Sequence, residues 1–363
     1  MSKIVILTNH SYMLYRFRRE LLESLMKEHE VILGMPFVGH EDDFKAMGLR
    51  CIEIPFERRR INPLAELKLI NTYRKLLKKE KPDMVITYSV KPNIYAGLVC
   101  AWKNIPYCAN VQGLGAAFQS KKLAKIATVL YKTALRKAHT VFFENEANAS
   151  EFIKRKIVTK ASITVLPGAG INLEEYPIVP YPENDAFHFL YLGRIMKDKG
   201  VEELFEAMSR LRAEYGNQVV LDLVGFFDDD YEEKVKQLVD QGIAEFHGFQ
   251  TDPKPYYEKT DCVVLPSYHE GLSNVLLEAA AIGRPVITSD IPGCKETVDK
   301  DQTGLLVSVK DADKLYDALK QMYQMSKADR EVMGQRAHEK MKREFDKKTV
   351  VKLTCDALKP KIM

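Results

Sequence analysis

Two basic residues in the second half of the chain have the types and spacing for chemistry on a charged ligand. Arg194 and Lys199 lie in the stretch GRIMKDKG (193–200), which follows an apolar, strand-like run. Arginine binds two phosphate oxygens at once and lysine supplies a point charge, so the pair suits a diphosphate leaving group. A solvated basic turn is the alternative that this stretch alone leaves open.

A loop and a helix further along the chain add an anion site. The strand-like run CVVLPS (262–267) leads through a short loop into VLLEAAAIG, a helical stretch. Ser273 or Asn274 is the expected N-cap of this helix and Gly283 its expected end. The free N–H groups and the positive dipole at a helix start attract phosphate.

Two carboxylates flank the start of that helix. Glu270 lies in the preceding loop and Glu278 lies one turn inside the helix, so they reach different parts of one ligand. Carboxylates accept hydrogen bonds from sugar hydroxyls. The spacing alone is weak evidence, because glutamates eight residues apart are common in charged proteins.

The elements that must position these residues follow a βαβ rhythm. Apolar strand-like runs alternate with helical patterns, which predicts parallel sheets covered by helices on both faces. Three prolines in YPIVPYPENDAF (176–187) indicate a connection, so we expect Rossmann-like domains at 1–179 and 184–342. A C-terminal helix (343–363) is expected to complete the first domain. Ligands of such domains bind at the carboxyl ends of the strands, in a cleft between the domains.

Composition excludes several classes of protein. Of 363 residues, 46% are hydrophobic and 29% are charged, which is globular rather than disordered. Apolar runs such as IYAGLVCAW (94–102) are too short to span a bilayer, and no signal peptide is recognisable. The six cysteines form no C-x-x-C pair, so neither disulfides nor a zinc cluster is expected. In neither expected domain does the loop after the first strand carry G-x-G-x-x-G, which argues against a nicotinamide or flavin enzyme.

Charge is distributed unevenly. Residues 1–180 carry 28 Lys and Arg against 17 Asp and Glu, a net charge of +11, whereas the remainder carries 26 against 33, a net charge of −7. Such a basic half suits nucleic acid, an anionic membrane or a phosphorylated ligand, or is a solvated surface. We expect no nucleic-acid partner, because few aromatics interleave with the basic runs around 58–81 and 121–137.

The motifs together resemble a known family. GRIMKDKG followed by LPSYHEGLSNVLLEAAAIGRPVITSDIPGCKETV is similar to the family-four retaining glycosyltransferases of GT-B fold. The stretches SVKPNIYAG (89–97), ANVQGLG (109–115) and VFFENE (141–146) resemble the subgroup that extends polyprenyl-diphosphate-linked glycans, including bacillosamine-linked N-acetylgalactosaminyltransferases. The resemblance covers essentially the whole chain.

The resemblance implies roles for the residues of the second domain. Arg194 and Lys199 match the basic pair on the donor diphosphate, and Glu270 matches the contact to the donor sugar, which makes these three the expected catalytic residues. Glu278 matches the ribose contact, and the nucleobase is expected near Gly248-Phe249. The expected donor-binding residues are Gly193, Phe249, Gly271, Leu272, Ser273, Asn274 and Glu278.

The first domain departs from the family pattern. The first loop has Asn9-His10-Ser11-Tyr12 in place of a glycine pair, and Gln112 stands where many members have histidine. Lys91 follows the fourth strand and is expected to bind acceptor phosphate, with a solvated lysine in a proline turn as the alternative. His10 is either a substitute for the missing histidine or a polar surface residue. The expected acceptor-side residues are His10, Lys91, Asn93 and Gln112.

A basic stretch, FQSKKLAKIATVLYKTALRKA (118–138), has Leu123, Ile126, Leu130 and Ala134 at helical spacing among lysines. It predicts either a core-packed helix with a basic outer face or a helix lying on an anionic membrane. We therefore expect a cytoplasmic protein, peripheral on the inner face of the cytoplasmic membrane. Asp-x-Asp triplets, such as 228–230, follow no suitable strand and are interpreted as loop and cap residues, so no metal or other cofactor is expected.

The resemblance therefore implies a retaining, metal-independent hexosyltransferase. It would move a sugar of the GalNAc, Gal or GlcNAc type from a UDP-sugar to a polyprenyl-diphosphate-linked saccharide during surface polysaccharide or glycan synthesis. Two alternatives stay open: a UDP-sugar 2-epimerase, which needs no acceptor, and a non-catalytic nucleotide-sugar sensor, which binds without turnover. The sequence does not specify the donor sugar, the acceptor glycan, the linkage or the oligomeric state.

Overall fold

The chain folds into two α/β units. The computed structural model describes residues 1–56, 62–114, 118 and 121–362. Arg58, Arg59, Arg60 and Gly115, and the side chains of Lys121 and Lys122, lie outside this described part. The first unit comprises Met1–Ala169 and the chain from Lys348 onward, and the second comprises Gly170–Lys347.

The first unit contains a seven-stranded parallel sheet in the order β3-β2-β1-β4-β5-β6-β7. Its strands are Ser2–Leu7 (β1), His29–Met35 (β2), Arg50–Glu53 (β3), Met84–Tyr88 (β4), Tyr107–Val111 (β5), Thr140–Phe143 (β6) and Ile163–Val165 (β7). Its helices are Ser11–Met26 (α1), Glu41–Ala46 (α2), Pro63–Glu80 (α3), Gly97–Lys103 (α4), Lys121–Ala134 (α5) and Glu146–Lys154 (α6), with a π-helical turn over Pro92–Ala96.

The second unit contains a six-stranded parallel sheet in the order β10-β9-β8-β11-β12-β13. Its strands are Phe187–Leu192 (β8), Val219–Val224 (β9), Ala244–Gly248 (β10), Cys262–Leu265 (β11), Val286–Ser289 (β12) and Gly304–Val307 (β13). Its helices are Val201–Tyr215 (α7), Glu232–Asp240 (α8), Lys254–Lys259 (α9), Asn274–Ile282 (α10), Ala312–Gln324 (α11) and Lys327–Glu344 (α12). The final helix, Lys347–Ile362 (α13), packs Leu358 into the core of the first unit.

Apolar strands explain the two layers of helix on each sheet. Central strands such as β1, β4 and β11 are buried along nearly their whole length, as expected when both sheet faces are covered. The predicted α/β class with two doubly wound, Rossmann-like sheets is confirmed. The apolar runs of the sequence did not indicate strand β10, because Phe246 is the one large apolar residue in AEFHG.

The second unit begins at Gly170, six residues before the proline-rich connection at 176–187. Arg284, fully buried, donates hydrogen bonds to the carbonyls of Val179 (3.3 Å) and Pro180 (2.8 Å), which ties this segment to the second unit. The backbone N–H of Ile171 likewise bonds to the carbonyl of Phe345 at 2.8 Å. At the other end of the chain, the expected helix from 343 is split, since α12 ends at Glu344 and α13 begins at Lys347.

Each sheet has a position where the direction of strand addition reverses. In the first sheet this N-terminal switch point lies between β1 and β4, and in the second sheet the C-terminal switch point lies between β8 and β11. Loops diverge there at the carboxyl ends of the strands and leave a crevice, where ligands of open α/β sheets bind. Among the described helices, none is both long and apolar enough to cross a membrane.

Candidate functional site

The C-terminal switch point brings together a lysine and a carboxylate from distant parts of the chain. Lys199 follows β8 and Glu270 follows β11, and the Lys199 Nζ donates a hydrogen bond to Glu270 Oε1. Both side chains are largely buried, with 16% and 13% of their surface exposed. Ser267 Oγ donates a second hydrogen bond to the same oxygen at 2.8 Å. The loops therefore hold an ion pair across the crevice.

Close backbone packing locks these two loops together. Gly200 has a φ of +70°, and a Cβ there would lie 2.1 Å from the carbonyl oxygen of Pro266, so only glycine fits. The backbone N–H of Tyr268 bonds to the carbonyl of Asp198 at 2.9 Å. Its phenol donates to the Glu203 carboxylate of α7 at 2.7 Å. These contacts explain why Lys199 and Glu270 meet.

A third loop supports the carboxylate from the β12 side. Gly293 has a φ of +89°, and a Cβ there would lie 2.5 Å from the carbonyl oxygen of Gly271. The carbonyl of Gly293 accepts a hydrogen bond from the N–H of Ser273 at 2.9 Å. Burial, with nearby Glu270 as a further cause, raises the pKa of the Cys294 thiol beneath this loop, so the thiol stays neutral.

Helix α10 begins beside this pair, as predicted. Ser273 is the N-cap, and its hydroxyl oxygen accepts a hydrogen bond from the N–H of Leu276 at 3.4 Å. Gly283 ends the helix with a φ of +86°. The first N–H groups of the helix, including that of Asn274, have no intrahelical acceptor and form an anion-binding end. Leu272, just before the cap, is buried.

Glu278 lies on the inner side of α10. Its side chain is buried, and Oε2 accepts a hydrogen bond from the Tyr257 phenol at 2.9 Å. Tyr257 belongs to α9, so the partner comes from the element packed against this helix. Tyr257 could not be identified from the sequence, because its only signal there is an aromatic residue in a short helix.

Arg194 does not join the Lys199–Glu270 pair. Its guanidinium is 45% exposed and donates to Asp228 at 2.7 Å, in the loop after β9. The triplet that the sequence analysis treated as a simple loop therefore supplies the partner of a predicted catalytic residue. Gly193, with a φ of +153°, packs against the backbone of Gly225. A Cβ on Gly225 would lie 1.8 Å from the carbonyl oxygen of Gly193.

Aromatic residues follow the outer strands of the second sheet. Phe249, after β10, is 53% exposed, and its ring lies 6.1 Å from that of Phe226, which follows β9. Exposed rings at strand ends are suited to stacking against a planar base. Phe226 was missed by the sequence analysis, although it follows the buried strand directly.

The N-terminal switch point holds neutral polar residues. Ser89 directly follows β4 and has a φ of +72°, a strained conformation for a residue with a side chain, and its hydroxyl donates to Asn9 Oδ1 at 2.7 Å. His10 is the N-cap residue of α1, and its ring lies 6.1 Å from that of Tyr12. A hydrogen bond between the loops after β1 and β4 therefore spans this crevice.

The remaining residues predicted for the acceptor side lie after β4 and β5. Lys91 Nζ pairs with Glu66 of α3 at 2.7 Å, and both side chains are largely buried. Asn93 is buried in the π-helical turn, where it accepts from Thr87 Oγ1 at 2.7 Å and donates to the carbonyl of Asn110 at 2.8 Å. Gln112 follows β5 and is partly exposed. Lys91 is thus held by a carboxylate rather than solvated.

Family models match most of the chain in two segments. A model described as "Glycosyl transferase 4-like" matches residues 3–145, and one described as "Glycosyl transferases group 1" matches residues 186–325. The second segment contains Arg194, Lys199, Glu270 and Glu278.

Two curated relatives are similar along most of their length. An N,N'-diacetylbacillosaminyl-diphospho-undecaprenol alpha-1,3-N-acetylgalactosaminyltransferase from Campylobacter jejuni is 29% identical over 336 residues, 87% of this chain and 88% of that protein. A UDP-Gal:alpha-D-GlcNAc-diphosphoundecaprenol alpha-1,3-galactosyltransferase from Escherichia coli is 27% identical over 306 residues, 78% of this chain and 76% of that protein.

Solved structures share the fold at low sequence identity. An Anabaena protein in complex with UDP-glucose superposes with a TM-score of 0.81 and 17% identity, covering 99% of this chain and 100% of that chain. Sucrose-phosphate synthase from Thermosynechococcus elongatus gives a TM-score of 0.77 and 20% identity, covering 99% of each chain. The predicted resemblance is confirmed: a glycosyl transferase 4-like segment and a glycosyl transferases group 1 segment together cover most of the chain, which has the GT-B fold and is a sugar-transferring enzyme.

Proposed function

We propose that the enzyme moves a sugar of the GalNAc, Gal or GlcNAc type from a UDP-sugar to a polyprenyl-diphosphate-linked saccharide, with retention of anomeric configuration. The observation that carries this proposal is the Lys199–Glu270 pair beside the start of α10. The relatives from C. jejuni and E. coli, whose names specify diphospho-undecaprenol acceptors, support the acceptor class. The expected setting is surface polysaccharide or glycan synthesis.

The donor diphosphate would lie between the Lys199 ammonium and the N–H groups at the start of α10. Both groups stabilise the negative charge that develops on UDP as the glycosidic bond breaks. Arg194, held by Asp228, would add a bidentate contact to the same phosphates. Because these positive groups are already in place, the departure of UDP requires no metal ion.

The reaction proceeds on one face of the donor sugar. The acceptor hydroxyl attacks from the side on which UDP departs, and a phosphate oxygen of UDP takes its proton. Glu270 accepts hydrogen bonds from the donor sugar and Glu278 from the ribose, while Phe249 contacts the base. No side chain forms a covalent intermediate, so catalysis rests on charge stabilisation and positioning.

The N-terminal unit would bind the acceptor. The Asn9–Ser89 bond and the Lys91–Glu66 pair place hydroxyl, amide and ammonium groups at the carboxyl ends of β1 and β4. Such groups suit a saccharide and its diphosphate. His10 also follows β1, Gln112 follows β5, which is the neighbour of β4, and Asn93 supports the turn that follows Lys91.

We also propose that α5 docks this enzyme on an anionic membrane. The core-packed alternative is correct for Leu130 and Ala134, which pack on the core of the first unit. It is wrong for Leu123 and Ile126, which are 43% and 58% exposed. Val129 is 64% exposed on the same side, because the smaller residues Ala124, Ala127 and Ala134 face the core together with Tyr131. The exposed apolar face is flanked by Lys125 and Lys132, whose charges complement anionic headgroups. This would place the enzyme on the inner face of the cytoplasmic membrane.

Vesicle sedimentation tests the membrane proposal. The wild-type protein should sediment with vesicles that contain anionic phosphatidylglycerol and not with neutral phosphatidylcholine vesicles. Ile126→Glu should abolish the binding, whereas Val239→Glu, at an exposed apolar residue of the second unit, should leave it unchanged. Equal sedimentation of the wild type and Ile126→Glu would remove the assignment.

UDP release tests the proposed reaction. The enzyme is incubated in EDTA with a panel of UDP-sugars, with and without detergent-solubilised polyprenyl-diphosphate saccharides. We expect UDP release from one donor only when the acceptor is present. Interconversion of UDP-sugars without acceptor would instead establish the epimerase, and tight donor binding without turnover would establish the sensor.

A further inference from the structure

A second polar cluster lies on the strands of the C-terminal unit, outside the proposed donor site. Asp222 of β9 is paired in register with Leu190 of β8 and with Glu245 of β10. Its Oδ2 lies 2.7 Å from His188 Nδ1, and its Oδ1 lies 2.7 Å from His247 Nε2. Three adjacent strands therefore converge on one carboxylate, whose side chain is only 13% exposed.

Three of these side chains are arranged as metal ligands. One ligand atom each from Asp222, Glu245 and His247 lies within 4.8 Å of the others. An imidazole with two carboxylates is a donor set for first-row divalent transition ions, whose ligand distances of about 2.0–2.2 Å need only small side-chain movements from this spacing. Strands also hold ligands more rigidly than loops do.

His188 orients the central ligand. Its Nδ1 is bonded to Asp222 Oδ2, so the other oxygen, Oδ1, is left to face His247. Its backbone N–H is fixed by Asp261 Oδ2 at 2.9 Å. A histidine that positions a ligating carboxylate is the kind of supporting contact that metal sites use. Glu245 is exposed, which gives an ion a path from solvent.

We propose that Asp222, Glu245 and His247 bind a divalent transition-metal ion, for which Zn²⁺ and Co²⁺ are the probes. The site does not include Lys199 or Glu270, the residues of the transfer chemistry. Asp222 lies opposite Leu190, two residues before β8 ends, whereas Lys199 and Glu270 lie in loops beyond the strand ends. The ion therefore ties β9 to the edge strand β10 and stabilises the folded unit by binding it preferentially.

Metal binding is measured directly on full-length protein that has been stripped with EDTA and exchanged into metal-free buffer. Isothermal titration with Zn²⁺ should give one site per chain, and Co²⁺ should produce a visible ligand-field absorption that Zn²⁺ removes. Saturating Zn²⁺ should raise Tm. Substoichiometric binding, or a Co²⁺ spectrum identical to that of the ion in buffer, would overturn the proposal.

Substitutions test which side chains bind the metal ion. Glu245→Gln, at an exposed position, and His247→Gln should each weaken Zn²⁺ binding at least tenfold, and His188→Gln should weaken it about tenfold to a hundredfold through the lost orientation of Asp222. His29→Gln, at a histidine of the first unit bonded to Ser2, is the control and should bind as the wild type does. Wild-type affinity in Glu245→Gln and His247→Gln would contradict the assignment. Because the readout is metal binding, the result is independent of the transfer assay.

Discussion

Different kinds of contact span the two switch points of this enzyme. At the C-terminal one, a buried ion pair between Lys199 and Glu270 spans the crevice, and glycines let three loops touch through their backbones. At the N-terminal one, a neutral bond between Ser89 and Asn9 spans the crevice, and the nearby cation Lys91 is held by Glu66 of a helix.

This difference corresponds to the different chemistry of the two proposed ligands, a diphosphate and a saccharide. A diphosphate leaving group needs fixed positive charge and free N–H groups, which must not rearrange while charge develops. A saccharide acceptor needs hydroxyl and amide partners with little net charge. The contrast therefore predicts that substitutions at the C-terminal switch point reduce kcat strongly, whereas substitutions at the N-terminal one mainly raise the acceptor KM.

The largest effect is expected for Glu270→Gln. The substitution keeps the shape of the side chain but removes the charge that holds Lys199 and accepts from Ser267. We expect kcat to fall about a hundredfold to a thousandfold, with UDP affinity changed less than about threefold. Steady-state kinetics and UDP titration measure both. A loss of UDP affinity equal to the loss of kcat would show that Glu270 is only structural.

A backbone substitution tests whether the loop packing matters. Gly293→Ala puts a Cβ within 2.5 Å of the Gly271 carbonyl, next to Glu270, and should reduce kcat at least about tenfold. Gly216→Ala is the matched control in the same unit, because Gly216 also has a positive φ, of +60°, but has nothing within 4 Å of its Cβ position.

The two glycine variants should also differ in stability. Gly216→Ala has only the backbone strain of its positive φ, about 1–3 kcal/mol, whereas Gly293→Ala has the strain of its own positive φ and the steric clash. Urea unfolding measures the difference. If both variants keep full activity and lose equal stability, the loop contact has no part in positioning the carboxylate.

A double-mutant cycle sharpens the N-terminal side of the comparison. Asn9→Ala and Ser89→Ala should each raise the acceptor KM about tenfold. In the double variant the rise in acceptor KM should be smaller than the product of the two single rises, with a coupling free energy of about 1 kcal/mol. The donor KM should stay constant throughout. Additive effects, or an equal rise in the donor KM, would mean that this bond does not shape the acceptor site.

The smallest effect is expected at Lys91. Lys91→Met should raise the acceptor KM about fivefold to tenfold and leave donor binding unchanged. It also leaves the buried Glu66 carboxylate without its charged partner, which lowers stability. The double variant with Glu66→Gln separates the two effects, since stability should return while the acceptor KM stays high. A normal KM in the double variant would leave Lys91 with a structural role only.

Sequence reasoning predicted the parts of the molecule that depend on local pattern. Buried strands, the N-cap Ser273 and the helix end at Gly283 follow from residues close together in the chain. The pairing of Lys199 with Glu270 could also be predicted, because parallel strands bring the loops after β8 and β11 to one edge of the sheet. The strand β10 was missed, since its edge position tolerates polar residues.

Partners that are distant in sequence could not be predicted. Asp228 binds Arg194, Glu66 binds Lys91, and Tyr257 binds Glu278, and each of these depends on which loop or helix lies next to which in the fold. The orientation of α5 was also ambiguous. The sequence offers an alanine-rich face and a larger apolar face, and the alanine face with Tyr131 lies on the core because it permits closer packing.

The proposed reaction depends on Lys199, which stabilises the departing diphosphate. Acceptor-dependent UDP release from Lys199→Ala tests this role, with Lys197→Ala as the control. Lys197 lies in the same loop, but it is 63% exposed and pairs with Glu202 of α7. We expect kcat/KM to fall about a hundredfold or more for Lys199→Ala and to change less than about twofold for Lys197→Ala. Equal activity in the two variants would contradict this role of Lys199.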